Sequence, residues 1–460
     1  MEDTKKTNVL NDLIKVLGKD KVLSDIEDRV CYSYDGTRQK ALPDAVIRPS
    51  DANGVSAAIK IADKYDVPVC ARGAGTGLSG GAVPIHGGII FDLKNMNKIL
   101  DISPRDFIAT VEPGVVTKDF QDEVAKHGLF YPPDPSSAAF STIGGNVAEC
   151  AGGITGLKYG VTRDYILALE IVLPDGSIIN TGRKTLRSVT GYDLTRLFVG
   201  SEGTLGIFTK ITVKLIPGPE KVETLAAFFG ERDDAIDAAD SIMDNNILPR
   251  TLEFVDHMCL NAVRGYGGTA LDEDVKALLL IDIDGSEENI RRELSVVGNV
   301  CKGKNALRVK AAETAKEREG LWAVRRAISP ALYNIAPHKI NEDICVPRSK
   351  IKEVFLKVDR INKQYPIYVA NFGHIGDGNI HVNVMYKDEA GQEELAGKMV
   401  SEIMEMVVEM GGTISGEHGI GNKKSQFMEL EIAPQEFAIM KRLKYLFDPK
   451  GIMNPGKMFP

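Results

Sequence analysis

Residues 71–84 read Ala71-Arg72-Gly73-Ala74-Gly75-Thr76-Gly77-Leu78-Ser79-Gly80-Gly81-Ala82-Val83-Pro84, directly after the apolar run Val67-Pro68-Val69-Cys70. Gly75, Gly77 and Gly80 satisfy the G-x-G-x-x-G spacing of a dinucleotide fingerprint, but that fingerprint must open a helix after its strand. Here Pro84 arrives four residues after Gly80, and the next stretch, GGIIFDL at 87–93, has the pattern of a strand. A Rossmann NAD site is thereby excluded. No Lys-Ser/Thr pair follows the glycines, so this is not a Walker loop either. Nor does a flexible surface turn normally sit between two tight apolar strands. What remains is a nest of backbone N–H groups around an anion, with a diphosphate as the expected group. Glycine permits both positive φ and a close approach of backbone to ligand.

Two more turn-rich stretches enlarge that ligand. Pro132-Pro133-Asp134-Pro135-Ser136-Ser137, then Thr142-Ile143-Gly144-Gly145-Asn146 and Gly152-Gly153, supply rigid turns, hydroxyls and bare backbone. Gly200-Ser201-Glu202-Gly203-Thr204-Leu205-Gly206-Ile207 joins a polar turn to a strand. Three such turns are too many for one phosphate and suit a long extended cofactor such as FAD. Around them the pattern is α/β. Strands are expected at 45–49, 87–93 and 107–114, a helix after Asp51, and a helix at 117–127 closed by Gly128. Pro174-Asp175-Gly176 is a hairpin turn, whereas 130–160 is nearly all turn formers. Pro217-Gly218-Pro219 is the strongest boundary signal. Beyond it strands and helices alternate as on an antiparallel sheet, which makes the whole chain α+β.

The chemistry-bearing residues cluster late. In YVANFGHIGDGNIHVNVMY, His374 and His381 flank Asp377-Gly378, a two-residue hairpin signal. Pairing 376 with 379 sets His374 opposite His381, close enough to share an ion, with Asn383 on the same face. GGTISGEHGIG then delivers Glu417-His418 into a glycine-flanked turn. Two imidazoles and one carboxylate would leave an open coordination position, the pattern of a catalytic metal, with His418 beside it as a base. Spacing alone does not bring Glu417 to the histidines. In EGLWAVRRAISPALYNIAPHK, Leu321, Val324 and Ile328 form a candidate buried stripe, with Arg325 and Ser329 on a second face. Arg325-Arg326 reads equally as a solvated pair or as a carboxylate site.

The 460 residues carry a formal charge of −8, with 43% hydrophobic and 26% charged residues, and length alone implies roughly two to three domains. There is no basic clustering, so a nucleic-acid binder is not expected. The six cysteines are scattered without a CxxC, so neither an iron–sulfur cluster nor a zinc ribbon is suggested. The charged N-terminus lacks an apolar h-region, and no run of about 18 apolar residues occurs, so a cytoplasmic protein without a transmembrane helix is expected.

The segments RGAGTGLSGGAVP, PPDPSS, TIGGNVAE with the following AGG, GSEGTLGI and the terminal FDPKGIMNPGK resemble, in combination, one flavoprotein superfamily, that of vanillyl-alcohol oxidase and p-cresol methylhydroxylase (PCMH-type). Within it the chain is most similar to the D-lactate dehydrogenase and glycolate oxidase large-subunit group. The resemblance runs from about residue 40 to the end. It implies an FAD-binding domain at 1–219 built of two α/β subdomains, a substrate or cap domain at 220–412 carrying the metal hairpin, and a segment 413–460 returning to the flavin. FAD would be bound by Arg72 to Ser79, Pro133, Asp134, Thr142, Gly145, Asn146, Ala148, Gly152, Gly153, Gly156, Glu202, Gly203, Gly206, Ile207 and Asn454. With no histidine in the arginine–glycine loop, the flavin is expected to be non-covalent. Cys150 departs from the asparagine that many relatives carry there.

The same resemblance assigns His374, His381 and Glu417 to a metal, His418 to the catalytic base and Arg325 to the substrate carboxylate, with Ser329, Lys339 and Asn383 nearby. The ligand types admit zinc, manganese or iron(II). The expected reaction is oxidation of a D-2-hydroxy acid, D-lactate to pyruvate, with His418 taking the proton and hydride passing to flavin N5. D-lactate is favoured over glycolate and D-2-hydroxyglutarate because no second arginine is evident for a distal acid. Electrons would pass to an external acceptor such as electron-transferring flavoprotein, and homo-oligomer formation is left open. The rival readings are an oxidase, an alkyl-glycerone-phosphate-synthase-like enzyme, and a metal-dependent hydrolase whose glycine loops bind a nucleotide.

Overall fold

The computed structural model describes residues 3–264 and 272–459. It divides into two compact units, one of Met1–Gly153, Val161–Gly218 and Glu417–Pro460, the other of Ile154–Gly160 and Pro219–Gly416. The division is therefore not contiguous in sequence.

The first unit contains two main sheets. In the smaller, Val22–Leu23, Ala45–Ile47, Ile89–Asp92 and Val69–Arg72 lie side by side, and the last three strands run parallel. Parallel strands need a crossover. The helix Ala52–Lys64 supplies one, its first turn capped by the Asp51 carboxylate accepting from Gly54 N. Val55, Ala58, Ile59 and Ala62 of that helix are buried with Ile47, Ile89 and Phe91 of the sheet. The glycine loop thus leaves the C-terminal end of a parallel strand, where open α/β sheets form their ligand crevices. The larger sheet is antiparallel, in the order Ile99–Ser103, Ile108–Val111, Ile207–Lys214, Ile166–Val172, Ile178–Gly182. The Pro174-Asp175-Gly176 turn closes its last hairpin. Its core gathers Val111, Ile171, Ile211 and Val213 with Phe120, Tyr131 and Phe198.

The turn-former stretch at 130–160 is more ordered than its composition implies, because it contains the helices Ile143–Glu149 and Gly156–Tyr159. Thr142 caps the first of them, its hydroxyl accepting from Gly145 N at 3.3 Å. That helix ends at Cys150, which has φ 53 and receives a hydrogen bond at Sγ from Arg163 Nε at 3.2 Å. A left-handed residue costs an ordinary side chain about 1–2 kcal/mol, and glycine or asparagine is the usual choice there.

The second unit is built on a seven-stranded antiparallel sheet. Its order is Ala306–Ala311, Lys221–Phe229, Ala277–Gly285, Thr251–Val255, Tyr368–His374, Asn379–Tyr386, His338–Cys345. The helix Ala315–Ala331 buries Val324 and Ile328 of its expected stripe against Phe228, Leu278 and Leu280 on one face, with Trp322 buried beside them and Leu321 only partly buried. On the other face Phe254 meets Phe355 of the helix Ile351–Asn362, with ring centroids 5.2 Å apart.

The histidine hairpin differs from its expected register. His374 pairs with Asn379, and Phe372 with His381, so the loop is the four residues 375–378 instead of two. Asp377 closes this longer turn: its N–H reaches His374 O at 3.3 Å, and its Oδ1 accepts from Asn379 N at 3.4 Å. The slip is two residues, so the period-2 parity survives and both histidines stay on one face. Among the described residues, no helix is long and apolar enough to cross a membrane.

Candidate active site

The glycine loop forms one wall of an open cleft that encloses about 1010 Å³ when the solvent at its mouth is included. Gly73 to Leu78 line it, opposite Thr142, Gly145, Asn146, Ala148, Gly152, Glu202 and Gly203. Gly75 has φ 71, a conformation suited to glycine. At Gly77 an added Cβ would meet only Glu149 Oε1, 3.9 Å away, so a side chain there would project into the cleft and fill the ligand space. This cradle of bare backbone fits a flavin diphosphate. Arg72, Gly206 and Ile207 line an adjoining cleft of about 400 Å³.

Ser79, Pro133, Asp134, Gly153 and Asn454, also expected at the cofactor, line neither cleft. Asn454 acts from behind, its Nδ2 donating to Gly81 O at 2.9 Å and to Glu202 O at 2.7 Å. Gly156 belongs to the other unit, where its position lies beside Asp377.

Glu417 and His418 stand on the wall of the larger cleft. Both are mostly buried, with His418 Nε2 3.9 Å from Glu417 Oε1. Glu202 fixes the turn that carries them, accepting from Ile420 N at 2.7 Å and Gly421 N at 2.6 Å. Glu149, which the sequence did not mark as a site residue, lines the same cleft and accepts from Ser79 Oγ at 3.2 Å. Burial and the neighbouring Glu202 hold the Glu149 carboxyl well above the ordinary glutamate range. Burial pushes Glu202 up to about 7 against the two backbone bonds that favour its charge.

The folded protein therefore binds more protons than the unfolded chain between 4.5 and about 7. The contribution of Glu202 to stability falls as pH rises through that window. Urea unfolding at pH 5 and 7.5 tests this. Glu202→Gln is expected to flatten the difference, and a variant keeping the full wild-type slope would refute the assignment.

In the second unit the sheet face beneath the helix Ala315–Ala331 carries the remaining candidates. His374 and His381 are buried, edge to face, with ring centroids 5.4 Å apart. Asn383 is fully buried, donating to Ala370 O at 3.1 Å and accepting from Asn341 Nδ2 at 2.7 Å. Ser329 and Lys339 are brought together, Lys339 Nζ donating to Ser329 Oγ at 2.7 Å. Arg325 lies over the Phe372 ring at 4.4 Å, and its Nε donates to Glu253 Oε2 at 2.7 Å. Arg326 points away, into an exposed pair with Glu319.

Beyond Glu149, two acids of the second unit were missed. Glu253, wholly buried, also holds His374 Nδ1 through its Oε1. Burial raises its pKa, but the charges of His374 and Arg325 outweigh that and hold it at about 2. Asp343 pairs in register with His381 and accepts from Asn379 Nδ2 at 2.6 Å and Ser415 Oγ at 3.0 Å. For Glu253 the available signal was a lone carboxylate inside an otherwise apolar strand, Leu252-Glu253-Phe254-Val255, whereas Asp343 follows Glu342 in a polar strand and carried no such mark.

The class of the protein, an FAD-linked oxidoreductase, is given by two family matches that cover most of the chain. Residues 43–182 match the family described as FAD binding domain, and residues 218–458 that described as FAD linked oxidases, C-terminal domain. The chain belongs to this family of FAD-linked oxidoreductases. It is 44% identical to the glycolate oxidase subunit GlcD of Bacillus subtilis (strain 168), over 98% of this chain and 97% of that protein. It is 36% identical to a D-lactate dehydrogenase of Archaeoglobus fulgidus, over 93% and 95%. A D-2-hydroxyglutarate dehydrogenase of Stutzerimonas stutzeri is 32% identical over 98% of each chain. Among solved structures, substrate-bound p-cresol methylhydroxylase superposes with a TM-score of 0.82 at 19% identity, over 100% of this chain and 97% of that one. That likeness shows the shared fold.

Proposed function

We propose that this protein is a D-2-hydroxy acid dehydrogenase that oxidises D-lactate to pyruvate. The observation that carries the reading is that Glu417 and His418 line the same cleft as the glycine cradle assigned to FAD. A base is thereby available at the cofactor. FAD, when bound, supplies a hydride acceptor at N5. His418 takes the hydroxyl proton of the substrate, and Arg325 binds its carboxylate, with Lys339 and Ser329 adding donors.

His374, His381 and Glu417 hold a divalent cation in this reading, which would lower the pKa of the substrate hydroxyl. The donor set supports it: two buried imidazoles side by side, one of them oriented by a carboxylate. Zinc, manganese and iron(II) all suit such ligands. The flavin is held without a covalent bond, and acid precipitation that left it attached to the protein would refute that. Electrons pass to a separate protein, for which our choice is electron-transferring flavoprotein. The word subunit in the GlcD names supports a partner chain, and failure of reduced enzyme to reduce that acceptor would exclude this choice.

Glycolate is the second reading, favoured by the GlcD relative at 44% identity. Anaerobic mixing with D-lactate, glycolate and D-2-hydroxyglutarate separates them. D-lactate is expected to bleach the flavin absorption fastest. Bleaching by glycolate alone selects the second reading, and a preparation without flavin absorption rejects both.

A further inference from the structure

We propose that Glu253 is a positioning residue that orients the metal ligand His374 and the substrate clamp Arg325 at once. The inference rests on the roles given to His374 and Arg325 under Proposed function, and adds a residue to which nothing there assigns a part.

Glu253 sits in the middle of the strand Thr251–Val255, and none of its surface is exposed. A carboxylate buried so deeply persists only when it is paired and hydrogen-bonded. Both of its oxygens are committed. Oε2 accepts from Arg325 Nε at 2.7 Å, and Oε1 is in contact with His374 Nδ1. The second contact is built into the sheet, because Glu253 and His374 are register partners on adjacent antiparallel strands. The first is delivered by the helix Ala315–Ala331, whose apolar stripe fixes it on the same face.

Each contact has a chemical consequence. An ionised carboxylate only accepts hydrogen bonds, so the imidazole proton of His374 resides on Nδ1 and the unprotonated Nε2 is the ligand nitrogen. At Arg325, Nε is taken by Glu253 and the guanidinium lies over Phe372 at 4.4 Å. The terminal nitrogens Nη1 and Nη2 are then the donors offered to a substrate carboxylate, which binds end-on. Because one carboxylate serves both groups, the metal ligand and the substrate clamp are held in a fixed mutual orientation.

The test uses Glu253→Gln in the full chain with FAD bound, beside His374→Ala and Arg325→Ala. Zn²⁺ affinity is read by competition with a chromophoric chelator, and KM and kcat for D-lactate and glycolate by turnover with an artificial dye as the electron acceptor. Glu253→Gln is expected to weaken Zn²⁺ binding about 10–100-fold and to raise KM, while the flavin stays bound. A role confined to stability would lower the unfolding temperature and leave both readings unchanged in the folded protein. Wild-type Zn²⁺ affinity and KM in Glu253→Gln, with Zn²⁺ binding lost in His374→Ala, would overturn the inference alone. Unchanged values in all three variants would overturn it together with the reading on which it rests.

If Glu253→Gln does not fold, the wild-type protein still decides. ¹⁵N-histidine NMR, with the His374 signal identified by its loss in His374→Ala, is expected to show a proton on Nδ1. A proton on Nε2 with Nδ1 left bare would refute the proposal.

Discussion

Replacing His418 by alanine is expected to abolish reduction of the flavin by substrate while leaving the flavin bound. A positioned general base contributes about 10²–10⁴-fold to rate, so the anaerobic reduction rate should fall by at least two orders of magnitude. FAD content should hold because the turn carrying His418 is secured by backbone donors. Ile420 N and Gly421 N bond to Glu202 at 2.7 and 2.6 Å, and the imidazole takes no part in those bonds. KM should change little, since Arg325 and Lys339, the proposed substrate donors, remain. Stopped-flow reduction monitored in the flavin absorption band checks the rate, and released flavin checks the binding. A wild-type reduction rate would remove His418 from the chemistry and with it the proposed reaction.

How much of this was legible before the structure depended on how local each signal is. The glycine loop was readable because Pro84 and the strand Ile89–Asp92 lie within a few residues and rule out a helix there. The hairpin face was readable for the same reason, since parity along a strand survives an error of two in register. The register was not, because Asp377-Gly378 marks a turn without fixing its length. That is set by the Asp377 bonds to His374 and Asn379. The helix Ile143–Glu149 was hidden because its two glycines and its asparagine carry low intrinsic propensity. It is stabilised by the Thr142 cap and by Gly144 lying against Pro113. Glu253 was the least accessible. Its partners lie 72 and 121 residues away, so nothing local marks it except a charge in an apolar strand.

Gly421→Ala is expected to cost both the flavin and a large part of the stability. Gly421 has φ +52, and a Cβ there would lie 2.0 Å from Ser79 O and 2.6 Å from its carbonyl carbon. Those are backbone atoms of the glycine loop, so no rotamer change relieves the overlap. Left-handed φ costs a side chain about 1–2 kcal/mol, and overpacking a further ~1–3 kcal/mol. Displacement of the turn would also break the Gly421 N–H bond to the buried Glu202 carboxylate and leave that oxygen without its donor. Gly391→Ala separates the two costs, because Gly391 has φ +83 and a Cβ added there would have nothing within 4 Å. That variant bears the conformational cost alone and should unfold close to wild type with full flavin. Thermal unfolding and flavin content of both variants test the argument. Were Gly421→Ala to match Gly391→Ala in both, the close approach of Gly421 to Ser79 would not be what fixes the His418 turn against the flavin cradle.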